Sequence, residues 1–319
     1  MTDKRPVLVA TEVDDVTADM VIRELNRRDV PVARFNPADI GAALTVSARF
    51  GSCPAPVTGQ LRTPSRTVEL AEVRSVYWRR PVWPAFDHLE PDDARFAAAQ
   101  TRYGLGGTLY AFDGPLWVNH PLRIAAADYK PAQLAVAQRL GLTVPSTLVT
   151  NDPDEARSFV GDHEQVIFKT LRWTPYQRGG VPVTGWADLV TATEIDERVA
   201  VVPHLFQAVV NKVADLRVLV VGHEVFAVRI ASGMLDWRKD YSALSYRVVD
   251  LPDRMERALL AYLAHFGLAS GSFDFAVDGA GGLWWLELNP NGQWGWLEES
   301  TGLEMSDAFA ELLTQGVAP

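Results

Sequence analysis

The feature that most constrains the fold is a hairpin near the C-terminal end, where acidic side chains alternate with apolar ones. One strand carries Phe273-Asp274-Phe275, and a turn at residues 278–282 leads to Trp285-Leu286-Glu287-Leu288-Asn289. Side chains two apart on a strand share a face, so Glu287 and Asn289 point the same way. The large apolar neighbours predict a buried sheet, in which unpaired carboxylates would cost free energy.

The pairing of this hairpin predicts a metal site. A turn centred on Ala280 places Asp274 opposite position 286 or 287, which leaves the register open by one residue. Asp274, Glu287 and the amide oxygen of Asn289 would then converge, and such oxygen ligands suit Mg²⁺ that bridges substrate phosphates. The alternative is that these are polar residues at strand ends that face water.

The first part of the chain predicts a parallel α/β unit. Val7-Leu8-Val9-Ala10 is typical of a buried strand, and Asp14 or Asp15 can cap a helix whose apolar residues recur at helical spacing. Residues 31–35 then return as a strand, which gives a βαβ unit. The first strand–helix turn contains no glycine, so it is not a dinucleotide-binding fingerprint.

The rest of the chain predicts an α+β arrangement. We expect a helix from about Asp128 to Leu140, capped by Asp128 and ended by Gly141, and a long hairpin over residues 215–230. The fold class is therefore α/β followed by α+β. The expected domains are an N-terminal α/β domain, a central domain and a C-terminal antiparallel domain, over residues 1–118, 119–204 and 205–319.

Composition and missing motifs exclude several classes of function. The net charge of −10, from 30 basic and 40 acidic residues, argues against a protein that grips nucleic acid. A single cysteine, Cys53, cannot form an internal disulfide, and no apolar run approaches the roughly 18 residues of a membrane span. We expect no signal peptide and a cytoplasmic location. There is no P-loop and no G-x-S-x-G motif, and the six histidines lack metal-ligand spacing.

Two lysines are candidates for binding phosphate. Lys169 ends the apolar run Val166-Ile167-Phe168 and precedes Gly179-Gly180, whose backbone N–H groups could fold over phosphates. The alternative is an edge-strand or snorkelling lysine. Lys130, in the first turn of a predicted helix, is the second candidate, and its alternative is a solvated surface lysine.

Three arginines lie within or after strands that are rich in apolar residues. Arg217 and Arg229 lie within strands rich in Val, Leu and Phe, and Arg238 follows the second of these strands. An arginine in apolar surroundings requires a paired anion. A bound triphosphate and a structural ion pair with Asp or Glu both remain open.

In this order, these residues resemble the pattern of the ATP-grasp ligases over nearly the whole chain, most specifically from Asn119 onward. The resemblance implies an ATP-grasp fold with an N-terminal βαβ domain ahead of the central and C-terminal domains. It implies that ATP is held by Lys130, Lys169, the hinge residues Gln207 and Val209, and Asp215. It also implies that Mg²⁺ is held by Asp274, Glu287 and Asn289, while Arg217, Arg229 and Arg238 stabilise the transferring phosphoryl group.

A finer resemblance is to the graspetide synthetases, the macrocyclases of the microviridin type. It implies a ligase that uses ATP to join Asp or Glu carboxylates of a ribosomally made precursor peptide to Thr or Ser hydroxyls or to Lys amines, and it implies a homodimer. The chain departs from relatives at Ala208, where an acidic residue would hold the ribose hydroxyls. The motifs behind this resemblance are Tyr77-Trp78-Arg79-Arg80-Pro81, Asn119-His120-Pro121, Thr147-Leu148-Val149-Thr150-Asn151, Asp236-Trp237-Arg238 and Glu287-Leu288-Asn289-Pro290-Asn291-Gly292-Gln293-Trp294.

Other interpretations remain at this point. The protein could be another carboxylate–amine ligase of this fold, of the RimK or glutathione-synthetase kind, or an inactive scaffold that binds a peptide. Arg79 and Arg80 are candidates for contact with the precursor, whereas Trp78 and Trp83 are expected to pack in a core. Leader recognition could instead use a segment around residues 181–203.

Overall fold

The computed structural model describes residues 3–51, 57–112, 114–172, 176–178, 181–183, 187–231 and 244–317, with the backbone alone described for 176–178 and 181–183. Arg238 lies outside the described residues, as do Cys53 and Gly179-Gly180. Within these ranges, no helix has both the length and the apolar composition needed to span a bilayer.

The strands are β1 Val7–Thr11, β2 Val32–Phe35, β3 Thr45–Phe50, β4 Val57–Arg62, β5 Thr67–Glu69, β6 Ser75–Arg80, β7 Leu116–Val118, β8 Thr147–Thr150, β9 Val166–Lys169, β10 Tyr176–Arg178, β11 Val181–Val183, β12 Asp188–Val190, β13 His204–Ala208, β14 Lys212–Val221, β15 Glu224–Ala231, β16 Ser245–Val248, β17 Ser270–Asp278 and β18 Leu283–Asn289. The helices are α1 Val16–Arg27, α2 Pro91–Tyr110, α3 Pro121–Ala127, α4 Lys130–Arg139, α5 Pro153–Gly161, α6 Asp253–Phe266, α7 Gly295–Thr301 and α8 Met305–Gln315. Short 3₁₀ helices cover Pro37–Asp39, Leu70–Glu72, Ala192–Glu194 and Glu197–Val201.

The N-terminal part contains the parallel sheet that the sequence predicts. Its strand order is β2-β1-β6-β7, and every pair in it is parallel. Of the two possible caps of α1, the structure has Asp15, whose side chain accepts the N–H of Ala18 at 3.2 Å. A small antiparallel sheet of order β3-β4-β5, which the sequence patterns do not predict, packs its apolar residues into the same core as Trp78 and Trp83.

Two antiparallel sheets follow, and both predicted hairpins are present. The central sheet has the order β12-β9-β13-β8, and the C-terminal sheet has the order β16-β15-β14-β17-β18. β13 (His204–Ala208) pairs with β8 and β9, so these residues belong to the central sheet. The predicted domain boundary at residue 205 therefore falls within a strand of that sheet.

The helix predicted at residues 128–140 is α4, but it begins at Lys130, with Tyr129 as its N-cap. Asp128 is instead the C-cap of α3, because its backbone is still helical and its N–H donates to the carbonyl of Ile124. Gly141, with φ of 77°, terminates the helical segment as predicted. The glycines at 104, 106 and 107 lie inside α2, where a side chain at Gly106 would come within 3.2 Å of Trp83.

The C-terminal sheet is covered on both faces by different parts of the chain. One face contributes Leu219 and Val221 to a core that contains α1, α8 and strands of the N-terminal sheet. The other face contributes Leu216 and Phe275 to a core with α3, α4 and α6. The N-terminal domain therefore shares a core with the C-terminal sheet, and the helix that carries Lys130 packs on that sheet.

Gly271 on β17 provides a test of this packing. An added Cβ would lie 2.6 Å from Leu288 Cδ1 and 3.0 Å from Leu263 Cδ2. We expect Gly271→Ala to lower the free energy of unfolding by about 1–3 kcal/mol, since overpacking outweighs the entropy gained by removing a glycine. Denaturant unfolding measures this. Gly279→Ala is the control, because its nearest neighbour would be 4.0 Å away at an exposed turn; equal effects of both variants would contradict this packing.

Candidate active site

The predicted metal ligands lie on one face of the C-terminal hairpin. Asp274 pairs with Glu287, and Ser272 pairs with Asn289, so the register left open by the sequence is the one with position 287. A bulge between Asp274 and Phe275 leaves Leu286 as an extra residue in β18. The carboxylates of Asp274 and Glu287 thus face each other across the two strands, with Asn289 two residues further on.

Asp274 is held by a buried arginine on the neighbouring strand. Arg217 is its cross-strand partner, and Arg217 Nη1 donates to both carboxylate oxygens at 2.8 and 2.9 Å. Arg217 Nη2 also donates to the carbonyl of Gln293 at 3.0 Å. Because both side chains are buried, each charge needs the other. In this structure the arginine forms a structural ion pair, one of the two options that its sequence context allowed.

Glu287 is held by a lysine from a different element. Lys130, at the first position of α4, places Nζ 2.5 Å from Glu287 Oε2, and both side chains are about one-fifth exposed. One turn later, Gln133 accepts the N–H of Leu288 and donates to its carbonyl, both at 3.0 Å. Gln133 thereby fixes α4 against the edge of β18, which brings Lys130 to Glu287. The sequence signal for Gln133 is an amide three residues after Lys130, on the same side of the helix.

The donor set fits a hard divalent cation. In the part of the chain that the structure describes, no three Asp, Glu, His or Cys side chains converge to hold a metal, so the third ligand would be the amide of Asn289. Two carboxylates and an amide oxygen are ligands that suit Mg²⁺, which commonly completes its shell with water and phosphate oxygens. The ion pairs of Lys130 with Glu287 and of Arg217 with Asp274 show that these carboxylates stabilise positive charge on this face of the sheet.

The central sheet contributes a second set of polar residues, in a cleft that also includes Lys130. Lys169 Nζ donates to Gln207 Oε1 at 2.8 Å, and Gln207 Nε2 donates to Thr147 Oγ1 at 2.9 Å. Since β9 pairs with both β12 and β13, Lys169 does not lie on an edge strand. The cleft is lined by Lys130, Gln133, Leu134, Lys169, Leu205, Gln207, Trp285 and Leu286.

Two further predicted residues, Val209 and Asp215, have partners of their own. The N–H of Val209 donates to the carbonyl of Gln165 at 2.9 Å. Asp215 forms an ion pair with Lys212 at 2.6 Å and lies on the same face of its strand as Arg217.

Arg229 is not brought together with the other site residues. It pairs with Leu216, and Leu216 packs on the opposite face of the C-terminal sheet from Asp274. A strand places successive side chains on alternate faces, and Arg217 and Arg229 occupy positions of opposite parity in this hairpin. The expectation that Arg229 acts with Arg217 at the phosphoryl group therefore does not fit the register.

Burial changes the titration of an acid close to Lys130. Desolvation raises the pKa of Asp128, and the nearby charges of Arg172 and Lys130 oppose that rise.

The structure resembles solved ligases over nearly its full length. The Chryseobacterium gregarium RiPP-associated ATP-grasp ligase, solved with ADP and with a leader and core peptide, matches with a TM-score of 0.89 and 26% sequence identity, covering 98% of this chain and 97% of the other. The macrocyclase MdnC from Microcystis aeruginosa MRC, solved with the precursor peptide MdnA, matches with a TM-score of 0.87 and 25% identity over 97% and 99% of the two chains.

The macrocyclase MdnB from the same organism matches with a TM-score of 0.81 and 26% identity, over 97% of this chain and 99% of the other. No family model matches the sequence, and neither does any curated protein. The resemblance drawn from the sequence motifs is confirmed by these structures. The chain is thus an ATP-grasp enzyme with the fold of the RiPP-associated ligases and macrocyclases.

Proposed function

We propose that the protein is an ATP-dependent peptide macrocyclase. It activates Asp or Glu side chains of a ribosomally made precursor peptide and joins them to Thr or Ser hydroxyls as esters or to Lys amines as amides. The observation that carries the proposal is the pair of carboxylates, Asp274 and Glu287, which are held on one sheet face by Arg217 and Lys130. The similar ligase and macrocyclase solved with peptides support the choice of substrate.

In this proposal, ATP lies between the central and C-terminal sheets. Lys130 and Lys169 bind its phosphates, since both ammonium groups line the cleft. Gln207 and the backbone at Val209 face the adenine. Asp215 keeps Lys212 in place at the border of the same sheet face.

Asp274, Glu287 and Asn289 would hold Mg²⁺, which neutralises phosphate charge as the phosphoryl group moves. Arg217 fixes the orientation of the Asp274 carboxylate, because its guanidinium contacts both oxygens. Lys130 balances the charge of Glu287 and lies within reach of a phosphate in the same cleft.

The chemistry needs no nucleophile from the protein. A carboxylate oxygen of the substrate attacks the γ-phosphorus of ATP, which forms an acyl phosphate and releases ADP. The substrate hydroxyl or amine then attacks the acyl carbon, and inorganic phosphate leaves while the proton of the attacking group is lost. Lys130 and Lys169 supply the positive charge that stabilises the developing negative charge.

Two further features are part of the proposal. The enzyme acts as a homodimer, and its chain divides into functional domains at residues 1–118, 119–204 and 205–319, except that β13 (His204–Ala208) belongs with the central sheet. One core joins the N-terminal sheet, α8 and the C-terminal sheet, and a second core joins α4 to the C-terminal sheet, which supports a single working unit of all three domains.

Co-expression with a precursor peptide encoded beside the gene tests this function. Mass spectrometry should show the loss of one water molecule per crosslink, and fragmentation should map each crosslink to an acidic residue and a hydroxyl or amine. If the precursor is unchanged while free amino acids stimulate ADP release, the enzyme is an amino-acid ligase instead.

Removal of one metal ligand should stop turnover. We expect Glu287→Gln to lower the rate of ADP release by at least about 100-fold. Mutation of an outer-shell partner alone costs up to roughly that factor, and Glu287 is proposed to contact the metal directly. A coupled ADP assay with the precursor measures this. Glu224→Gln, at the exposed first residue of β15, is the control and should keep normal turnover. Near-normal turnover of Glu287→Gln would refute the metal assignment.

Removal of one phosphate lysine should weaken nucleotide binding. We expect Lys169→Met to raise the Kd of a non-hydrolysable ATP analogue by about ten-fold or more, because a hydrogen bond to a charged group is lost. Isothermal titration calorimetry measures this, with the exposed Lys4→Met as the control. An unchanged Kd in Lys169→Met would remove Lys169 from the nucleotide site.

A further inference from the structure

Arg79 is buried at the border between the N-terminal sheet and the C-terminal hairpin. It lies near the end of β6, and only 2% of its surface is exposed. A guanidinium this deeply buried cannot meet a peptide that approaches from solvent, so the contact with the precursor expected from the sequence does not fit Arg79. Its neighbour Arg80 is exposed.

The guanidinium of Arg79 holds the loop that follows the last predicted metal ligand. Nη1 donates to the carbonyl of Asn291 and Nη2 donates to Oε1 of Gln293, both at 2.5 Å. The two donors of one planar group therefore fix two residues of the loop at residues 290–293, which begins directly after Asn289.

The other side of Arg79 is anchored to the start of α1. Its Nε lies 3.9 Å from Oδ2 of Asp15, and both side chains are 2% exposed. Asp15 in turn accepts from Thr11 Oγ1 at 2.6 Å and caps α1 through the N–H of Ala18. Burial raises the pKa of the adjacent Tyr77 to about 12, so the hydroxyl adds no charge there. Asp15 therefore compensates the positive charge of Arg79.

The loop is also held from the opposite side by the residue that positions Asp274. Arg217 Nη2 donates to the carbonyl of Gln293, while Arg217 Nη1 contacts Asp274. A Cβ at Gly292 would lie 2.5 Å from Ser272 Oγ and 2.8 Å from Arg217 Nη2, so the backbone approaches both closely. A displacement of this loop would therefore also displace the side chain of Arg217.

From this chain of contacts, we infer that Arg79 is a positioning residue for the metal site, which sets Asn289 through the loop at 290–293 and Asp274 through Gln293 and Arg217. It touches neither substrate nor nucleotide. The inference rests on the proposed metal set of Asp274, Glu287 and Asn289. It gives the N-terminal domain a direct part in that site, since Arg79 is the residue of β6 that reaches the loop.

Lysine at this position would keep the charge but not the geometry. An ammonium group cannot reproduce the planar arrangement in which one side chain donates to Asn291 and Gln293 at once and faces Asp15. Outer-shell partners of metal ligands typically change metal affinity by roughly 10–100-fold when they are mutated. We therefore expect Arg79→Lys to preserve the fold and to weaken metal-dependent binding.

The test measures Mg²⁺-dependent binding of ADP, without turnover. ADP affinity is determined by calorimetry over a series of Mg²⁺ concentrations for the full-length protein. In Arg79→Lys, the Mg²⁺ concentration that gives half of the maximal effect should rise about ten-fold or more, whereas Arg80→Lys should match the wild type. Far-ultraviolet circular dichroism and thermal unfolding check that each variant is folded.

A second variant keeps the inference testable if Arg79→Lys does not fold. Gln293→Ala removes the acceptor of Arg79 Nη2 from a residue that is exposed, and it should shift the Mg²⁺ midpoint in the same direction. Folded variants with an unchanged Mg²⁺ midpoint would overturn the role of Arg79. If wild-type protein binds ADP without any dependence on Mg²⁺, the metal set of the proposed function fails instead.

Discussion

The central constraint in this protein is that two carboxylates must be kept charged on a largely buried sheet face. A buried carboxylate without a partner would lose its charge or destabilise the fold, so each acid is matched by a cation. Arg217 on the next strand holds Asp274, and Lys130 from α4 holds Glu287. The first pair is fixed by strand register and the second by helix packing, so the site forms only when the sheet and the helix are both in place.

This constraint explains how the three parts of the chain are arranged. The C-terminal sheet is the shared element, since one face packs with the N-terminal sheet and α8 and the other with α3, α4 and α6. The central sheet adds Lys169 and Gln207 to the cleft beside Lys130. In the proposed complex, Lys130 would leave Glu287 for a phosphate, while Arg217 would stay bound to Asp274.

Local patterns in the sequence predict much of the fold and the core of the site. Alternation in the last hairpin predicts that Asp274, Glu287 and Asn289 converge, and spacing predicts α1 and both hairpins. The patterns did not decide a one-residue register, and the bulge at Leu286 that settles it depends on packing. Arg229 is an example of what such uncertainty leads to. The sequence grouped it with Arg217, but the register of the β14–β15 hairpin places the two side chains on opposite faces of the sheet. Arg79 and Gln133 act through contacts more than 150 residues apart in sequence, which no local pattern contains.

A crystal structure of the protein with ADP and Mg²⁺ is the most direct test of the claim that the charge-paired sheet face is the catalytic metal site. We expect a Mg²⁺ ion on Asp274, Glu287 and Asn289, with Lys130 turned from Glu287 to a phosphate oxygen and Arg217 still bound to Asp274. A nucleotide bound on the opposite face of the sheet, beside Arg229, or a metal held by other residues, would contradict it.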